Sequence, residues 1–172
     1  MKLEVTDPLT RLHRDLEALL RLRAVSTPLV VGIHTGGAWI AARLHAGLGL
    51  EGPLGSLDIS FYRDDFSRIG LNPRVRPSQL PLGIDGRHVV LVDDVIHTGR
   101  TVRAALNELF DFGRPASVML AVLIDRGGRE LPIQPDAVGA RVELPRGSEI
   151  KLTGPDPLGL EILSTPNRPE SR

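Results

Sequence analysis

At 172 residues, with 41% hydrophobic and 24% charged residues, the chain has the length and composition of one globular domain. Lys plus Arg and Asp plus Glu each number 21, so the formal net charge is zero, which excludes a uniformly basic nucleic-acid-coating surface but not a local basic patch. The absence of cysteine excludes disulfides, Cys-ligated metals and thiol catalysis. No run approaches the roughly 18 apolar residues of a membrane helix, and the N-terminus carries no apolar signal core, so a cytoplasmic protein is expected.

Residues 7–23 read as an amphipathic helix, with Asp7 as N-cap and Pro8 in the first turn. Leu9, Leu12, Leu16, Leu19 and Leu20 form one stripe at helical spacing. Arg11, His13, Arg14, Arg21 and Arg23 decorate the other sides, as a solvated face or as an interaction surface. Residues 28–34 read as a buried strand, Thr35-Gly36-Gly37 as a turn, and 38 to about 48 as a helix with Ile40, Leu44 and Leu48 inward. Two glycines at a strand-to-helix junction let a backbone approach an anion, or simply make a turn.

Residues 57–62 alternate as another strand. Residues 63 to about 81 show no period and hold Arg63, Asp64, Asp65, Arg68, Arg74 and Arg76 with Pro73 and Pro77. Such a stretch is a lid over a site or plain disorder. Asp85-Gly86 marks a turn. Residues 100–112 read as a helix with Val102, Ala105, Leu109 and Phe112 inward and Gly113 at its C-terminal end. Residues 117–124 form a continuous apolar strand, followed by Asp125-Arg126-Gly127-Gly128-Arg129-Glu130. The Pro-rich remainder fits short strands, and residues 166–172 a frayed tail.

The chemistry concentrates in Val89–Thr101. Four apolar residues, three of them β-branched, read as a buried parallel strand. Asp93 and Asp94 fall where that strand should end, which is where open α/β sheets bind ligands. Thr98-Gly99-Arg100-Thr101 then turns into a helix, whose N-terminal N–H groups and dipole suit a phosphate. Acids for hydroxyls or a metal beside an anion nest point to a phosphorylated sugar. A receiver-like fold also sets acids at strand ends, but has no Thr-Gly-x-Thr nest.

Asp93-Asp94 followed by Thr98-Gly99-x-Thr101 resembles the phosphoribosyl-pyrophosphate (PRPP) signature of type I phosphoribosyltransferases. Residues 57–65, 98–105 and 125–133 narrow the resemblance to the pyrimidine operon attenuation regulator/uracil phosphoribosyltransferase (PyrR) family, and it runs from about Val30 to about Ile150. The implied fold is α/β: a central parallel sheet flanked by helices, with a flexible loop and a small C-terminal hood. One domain spans 1–172, its core about 25–130 and its hood about 131–165, to which the N-terminus can contribute.

The implied reaction joins uracil to PRPP, giving UMP and pyrophosphate. Asp93 and Asp94 would be catalytic, binding ribose hydroxyls near the developing positive charge. The PRPP site as a whole would run through Asp93, Asp94, Val95, Ile96, His97, Thr98, Gly99, Arg100 and Thr101. Mg²⁺ would accompany PRPP near Asp93 and Asp94, with no dedicated protein ligands. Thr35, Gly36 and Gly37 match the pyrophosphate loop, although well-known members carry Arg where Gly36 stands and Lys where His34 stands. Arg74 or Arg76 would compensate, and Arg76, Arg126 and Ile150 are substrate candidates, Arg126 with a structural ion pair as its alternative. His97 faces the phosphate or is a loop residue without a role.

The resemblance also implies binding of pyrimidine-operon leader mRNA with UMP as corepressor, through Arg11, His13, Arg14 and Arg129. Gly128, Gln134 and Ala140 stand where studied regulators carry His or basic residues, which weakens a salt-sensitive interface. The alternatives are a UMP-sensing RNA-binding attenuator with vestigial catalysis, or a transferase for another base, since the paired acids read only the sugar phosphate. A homodimer or larger homo-oligomer is implied as well.

Overall fold

A computed structural model describes residues 2–60, 77–81 and 83–164. Phe61 and Tyr62 of the expected strand, most of the expected lid including Arg74 and Arg76, and the expected tail at 166–172 lie outside the described residues. In chain order the elements are β1 (Lys2–Leu3), α1 (Thr6–Leu22), β2 (Leu29–Ile33), α2 (Gly36–Gly47), β3 (Gly55–Leu57), β4 (His88–Ile96), α3 (Arg100–Asp111), β5 (Ser117–Asp125), β6 (Ala137–Arg141), β7 (Ser148–Thr153) and β8 (Gly159–Ser164).

The apolar runs at β2, β4 and β5 form the centre of a parallel sheet ordered β3-β2-β4-β5-β6. Strands buried on both faces need such continuous runs, and all five residues of β2 are buried. Helices α1 and α2 cover one face, setting Leu12, Leu16, Ile40 and Leu44 against Val90, Val92, Met119 and Leu123. Helix α3 covers the other, setting Val102, Ala105 and Leu109 against Val89, Leu91 and Val122. The connection through α2 leads outward to β3, whereas that through α3 leads the opposite way to β5. The chain therefore reverses direction between β2 and β4, the point at which such sheets open a crevice.

A second, antiparallel sheet ordered β1-β8-β7 joins the two ends of the chain, with Lys2 opposite Glu161 and Ile150 opposite Ile162. Its Ile150, Leu152 and Leu160 pack into the cluster under α1 and α2.

Several expectations shift. Helix α1 begins at Thr6 with Val5 as N-cap, and Asp7 is a first-turn residue instead. Val5 is itself buried in the core, and that burial outweighs a side-chain cap worth about 1 kcal/mol. Helix α2 begins at Gly36, so two of the three expected turn residues are helical. Strand β3 runs Gly55–Leu57 rather than from Leu57 onward, because Gly55, Ser56 and Leu57 pair with Val31, Gly32 and Ile33 of β2, and residues 58–60 are not strand. Ser56 also bonds reciprocally with Gln79 (both 2.8 Å), at the far end of the expected lid. Phe112 is the C-cap of α3 and 46% exposed, not inward, because the helix has already ended.

The largest shift concerns β6. It lies in the stretch expected to be hood, yet it is the fifth parallel strand, running from Ala121↔Ala137 to Asp125↔Arg141. The sheet thus continues to Arg141. Its short, small-residue sequence has little strand signal of its own. Asp136 secures it from outside: its carboxylate accepts Leu120 N–H at 2.8 Å and pairs with Arg23 at 3.1 Å. Gly139 then admits α1, since a Cβ there would stand 2.5 Å from both Leu123 O and Pro8 O. Both are backbone atoms and cannot yield cheaply. Gly139→Ala is expected to lower the unfolding free energy in urea by about 1–3 kcal/mol, whereas Gly52→Ala, which meets nothing within 4 Å, stays close to wild type.

Candidate active site

Strand β2 accompanies β4 only as far as Gly32↔Val92, while β5 accompanies it to Ile96↔Asp125. Pairing of β4 with β2 therefore stops just before Asp93, and Asp94 to Ile96 run on beyond the end of β2 beside β5. Asp93 is 3% exposed and Asp94 is half-buried. The strand's inward alternation changes phase here: Val90 and Val92 face α1 and α2, and so does Val95, while Ile96 packs beneath α3. The carboxylates stabilise this change locally, Asp93 Oδ1 accepting Asp94 N–H and Asp94 Oδ1 accepting Val95 N–H, both at 3.0 Å.

The N-terminus of α2 presses onto these acids. A Cβ on Gly37 would stand 2.5 Å from Val92 O and 3.0 Å from Asp93 Cα, and one on Gly36 would overlap the Asp94 carboxylate. The glycines of the expected pyrophosphate loop are thus the reason that the loop and the paired acids share one site. Thr35 is exposed at its mouth, and the preceding His34–Thr35 peptide is cis. A carboxylate against a helix N-terminus lies in the favourable field of the helix dipole.

Thr98 and Gly99 turn the chain from β4 into α3. Gly99 is the N-cap, with φ +93°, a conformation that L side chains rarely adopt. Arg103 N–H donates to Gly99 O, so the N–H groups of Arg100, Thr101 and Val102 precede the first helical bond. Arg100 N–H reaches Thr98 Oγ1 at 3.2 Å. The Arg100 guanidinium turns outward to Glu130 at 2.9 Å, both side chains more than half exposed, so it lies outside the nest. His97 is exposed, its Nδ1 2.9 Å from Gly127 O.

Residues 126–133 wrap the outside of this turn. Glu130 N–H and Leu131 N–H both donate to Thr98 O, at 3.0 and 3.1 Å, and Leu131 and Ile133 face Gly99. Arg129 is held by Asp125 (2.8 Å), Ile133 O (2.9 Å) and His97 O (2.9 Å), with 13% of its side chain exposed. It is therefore a clamp within the fold, its guanidinium already engaged. Charge patterning at Asp125 and Arg129, four residues apart across two glycines, was the one sequence signal of this wrap.

The other candidates are scattered. Arg126 donates to Ser148 O at 3.0 Å, tying β5 to the hood, and its buried Nε has no partner. This is a hydrogen bond, not the ion pair weighed as its structural alternative. The Ile150 side chain is in the core, leaving only its backbone for a ligand. Arg11 is exposed, and Arg14 pairs with Asp15 at 2.9 Å. His13 packs against Gly47 with its Nε2 buried. Arg76 lies outside the described residues.

A parallel sheet with paired acids and an anion nest at its direction reversal defines a class, and comparison with known proteins agrees. The phosphoribosyl transferase domain matches residues 11–145. The chain resembles the hypoxanthine phosphoribosyltransferase of Trypanosoma cruzi in fold, with a TM-score of 0.66, 20% identity and 94% of each chain covered. A hypoxanthine-guanine phosphoribosyltransferase from Bacillus anthracis gives the same TM-score at 17% identity, with 83% of each chain covered. Among curated proteins it is 61% identical to the "Bifunctional protein PyrR" of Pseudomonas paraeruginosa over 153 residues, 89% of this chain and 90% of the relative. It is 56% identical to that of Pseudomonas fluorescens, covering 90% and 92%. The chain belongs to the PyrR family of phosphoribosyltransferases.

The two glycines of α2 should respond differently to substitution. Gly37→Ala meets backbone and is expected to cost about 1–3 kcal/mol in urea unfolding. Gly36→Ala meets only a side chain, and its crystal structure should show the Asp94 carboxylate swung to another rotamer. An unmoved Asp94 would contradict the packing described.

Proposed function

We propose that this protein transfers the phosphoribosyl group of PRPP to uracil, releasing pyrophosphate and UMP. The observation that carries the reading is the paired carboxylate end of β4, flanked on one side by the α2 N-terminus and on the other by the Gly99 turn. In this reaction the bond from ribose C1′ to the pyrophosphate oxygen breaks and a bond from C1′ to uracil N1 forms, with loss of the N1 proton. Positive charge develops on the ribose between these events. Asp93 and Asp94 would hold the ribose hydroxyls and lie against that charge, while the first N–H groups of α3 and the Thr98 and Thr101 hydroxyls hold the 5′-phosphate. Thr35, Gly36 and Gly37 would offer backbone to the departing pyrophosphate.

The donor set suits a magnesium ion carried by the substrate. Among the described residues no three His, Cys, Asp or Glu side chains cluster as metal ligands, whereas Mg²⁺ commonly keeps waters and phosphate oxygens with one or two carboxylates. When bound, it would neutralise the pyrophosphate and favour its departure. Assembly as a homodimer or larger homo-oligomer belongs to the same proposal, as does a cytoplasmic setting, in keeping with the lack of any helix able to cross a membrane among the described residues.

Purified protein should form UMP from uracil and PRPP and lose the activity with EDTA. Asp93→Asn and Thr98→Ala should each lower kcat/KM by about 10²-fold or more. Wild-type rates in both variants would refute the site. A panel in which another base outperforms uracil would move the assignment to that base.

A second reading, regulation through RNA, is favoured by the word "bifunctional" in the names of the relatives. Binding of the leader mRNA of pyrimidine genes with UMP as corepressor would draw on exposed Arg11 and on Arg14. Gel shifts of the leader RNA should tighten with UMP and weaken steeply with salt. A titration without any UMP-dependent shift would remove this second activity.

A further inference from the structure

The wrap around the phosphate turn orients particular peptide planes, and Arg129 holds one of them. The Arg129 guanidinium donates to His97 O at 2.9 Å, and Glu130 and Leu131 N–H donate to Thr98 O. The His97–Thr98 and Thr98–Gly99 peptides are not among the cis bonds of the chain, so both are trans. In a planar trans peptide, C=O and N–H point in opposite directions. With both carbonyls turned to the wrap, the N–H groups of Thr98 and Gly99 must turn away from it.

We propose that Arg129 is a positioning residue for the phosphate loop: by holding His97 O it aims the Thr98 N–H at the 5′-phosphate of PRPP. The inference rests on the phosphoribosyltransferase site proposed above. The arrangement suits arginine in particular. One guanidinium serves three acceptors in different directions: the carboxylate of Asp125 at the end of β5, Ile133 O further along the wrap, and His97 O in the loop. The pair is shielded, with side-chain exposures of 13% for Arg129 and 9% for Asp125, so water competes poorly for these bonds. Asp125 also accepts Gly127 N–H at 3.0 Å, which fixes the start of the wrap to the sheet. The loop is thereby referenced to the end of β5, the strand beside the one that carries the acids. A lysine could satisfy the carboxylate but not all three acceptors.

The test compares Arg129→Gln, Arg129→Lys and Arg141→Gln with wild type. Two readouts are taken: calorimetric binding of ribose 5-phosphate, which needs no base, and steady-state KM for PRPP and for uracil. Arg129→Gln should weaken ribose 5-phosphate binding and raise KM for PRPP by about tenfold or more, while KM for uracil stays near wild type. Arg129→Lys, which keeps the charge beside Asp125 and so guards against misfolding, should fall between. Arg141→Gln removes a more exposed cation 3.9 Å from the same carboxylate and should leave both constants unchanged. A loss of kcat alone, with both KM values preserved, would mean a merely structural role and overturn the proposal. So would an Arg129→Gln or Arg129→Lys protein that binds ribose 5-phosphate like wild type but loses leader RNA. Wild-type protein that binds no ribose 5-phosphate would instead refute the underlying site, and the proposal with it.

Discussion

The ligand site depends on one close approach: the first turn of α2 against the carboxyl end of β4. Gly37 lies over Val92 and Asp93, and Gly36 lies against the Asp94 carboxylate. Glycine in a helix is unfavourable relative to alanine by roughly 0.5–1 kcal/mol, and here two occur in succession. The contact offsets that cost. It brings a helix N-terminus, proposed for the pyrophosphate, beside the acids proposed for the ribose. Gly32 on β2 completes the approach, since a Cβ there would stand 2.5 Å from Ala38 Cα.

On the other side of the acids the constraint is long-range. The turn at Thr98–Gly99 gains its shape from Gly99, but its carbonyls are occupied by residues some thirty positions later, through Glu130, Leu131 and Arg129. Buried or half-buried backbone carbonyls need partners, and of the turn's carbonyls only Gly99 O is taken by α3 itself, through Arg103 N–H. The wrap supplies partners for His97 O and Thr98 O and turns the N–H groups of Thr98 and Gly99 away from itself. Gly36 leaves room for the Asp94 carboxylate, so this loop presents backbone beside the acids.

Much of this was legible in sequence because it is local. The strand–acid–glycine–helix succession at Val89–Thr101 needs only a buried run, two carboxylates and a turn residue, all within thirteen residues. The leucine stripe of α1 follows from helical period, and Leu12, Leu16 and Leu20 are its buried members. Strand β6 was not legible, because Ala137–Arg141 becomes a strand through Asp136 and through the passage of α1 over Gly139, neither of which leaves a pattern in five residues. The partners of Arg129 were not legible either, because a sequence shows a charge without what it pairs with. His13 likewise packs against Gly47 of α2, a contact that its helical position alone does not reveal.

The sequence by itself determined the α/β class, the acids at a strand end, the Thr-Gly-x-Thr turn into a helix and the family resemblance that joins them to PRPP. Those are properties of residue type and short spacing, which survive without knowledge of the rest of the chain. The tertiary structure alone decided that the Gly36–Gly37 turn abuts Asp94, that the parallel sheet takes β6 before the hood begins, and that Arg129 faces His97 rather than solvent. Each of these is a contact between segments far apart in sequence, set by packing and by the need to pair backbone groups, and no local pattern encodes it.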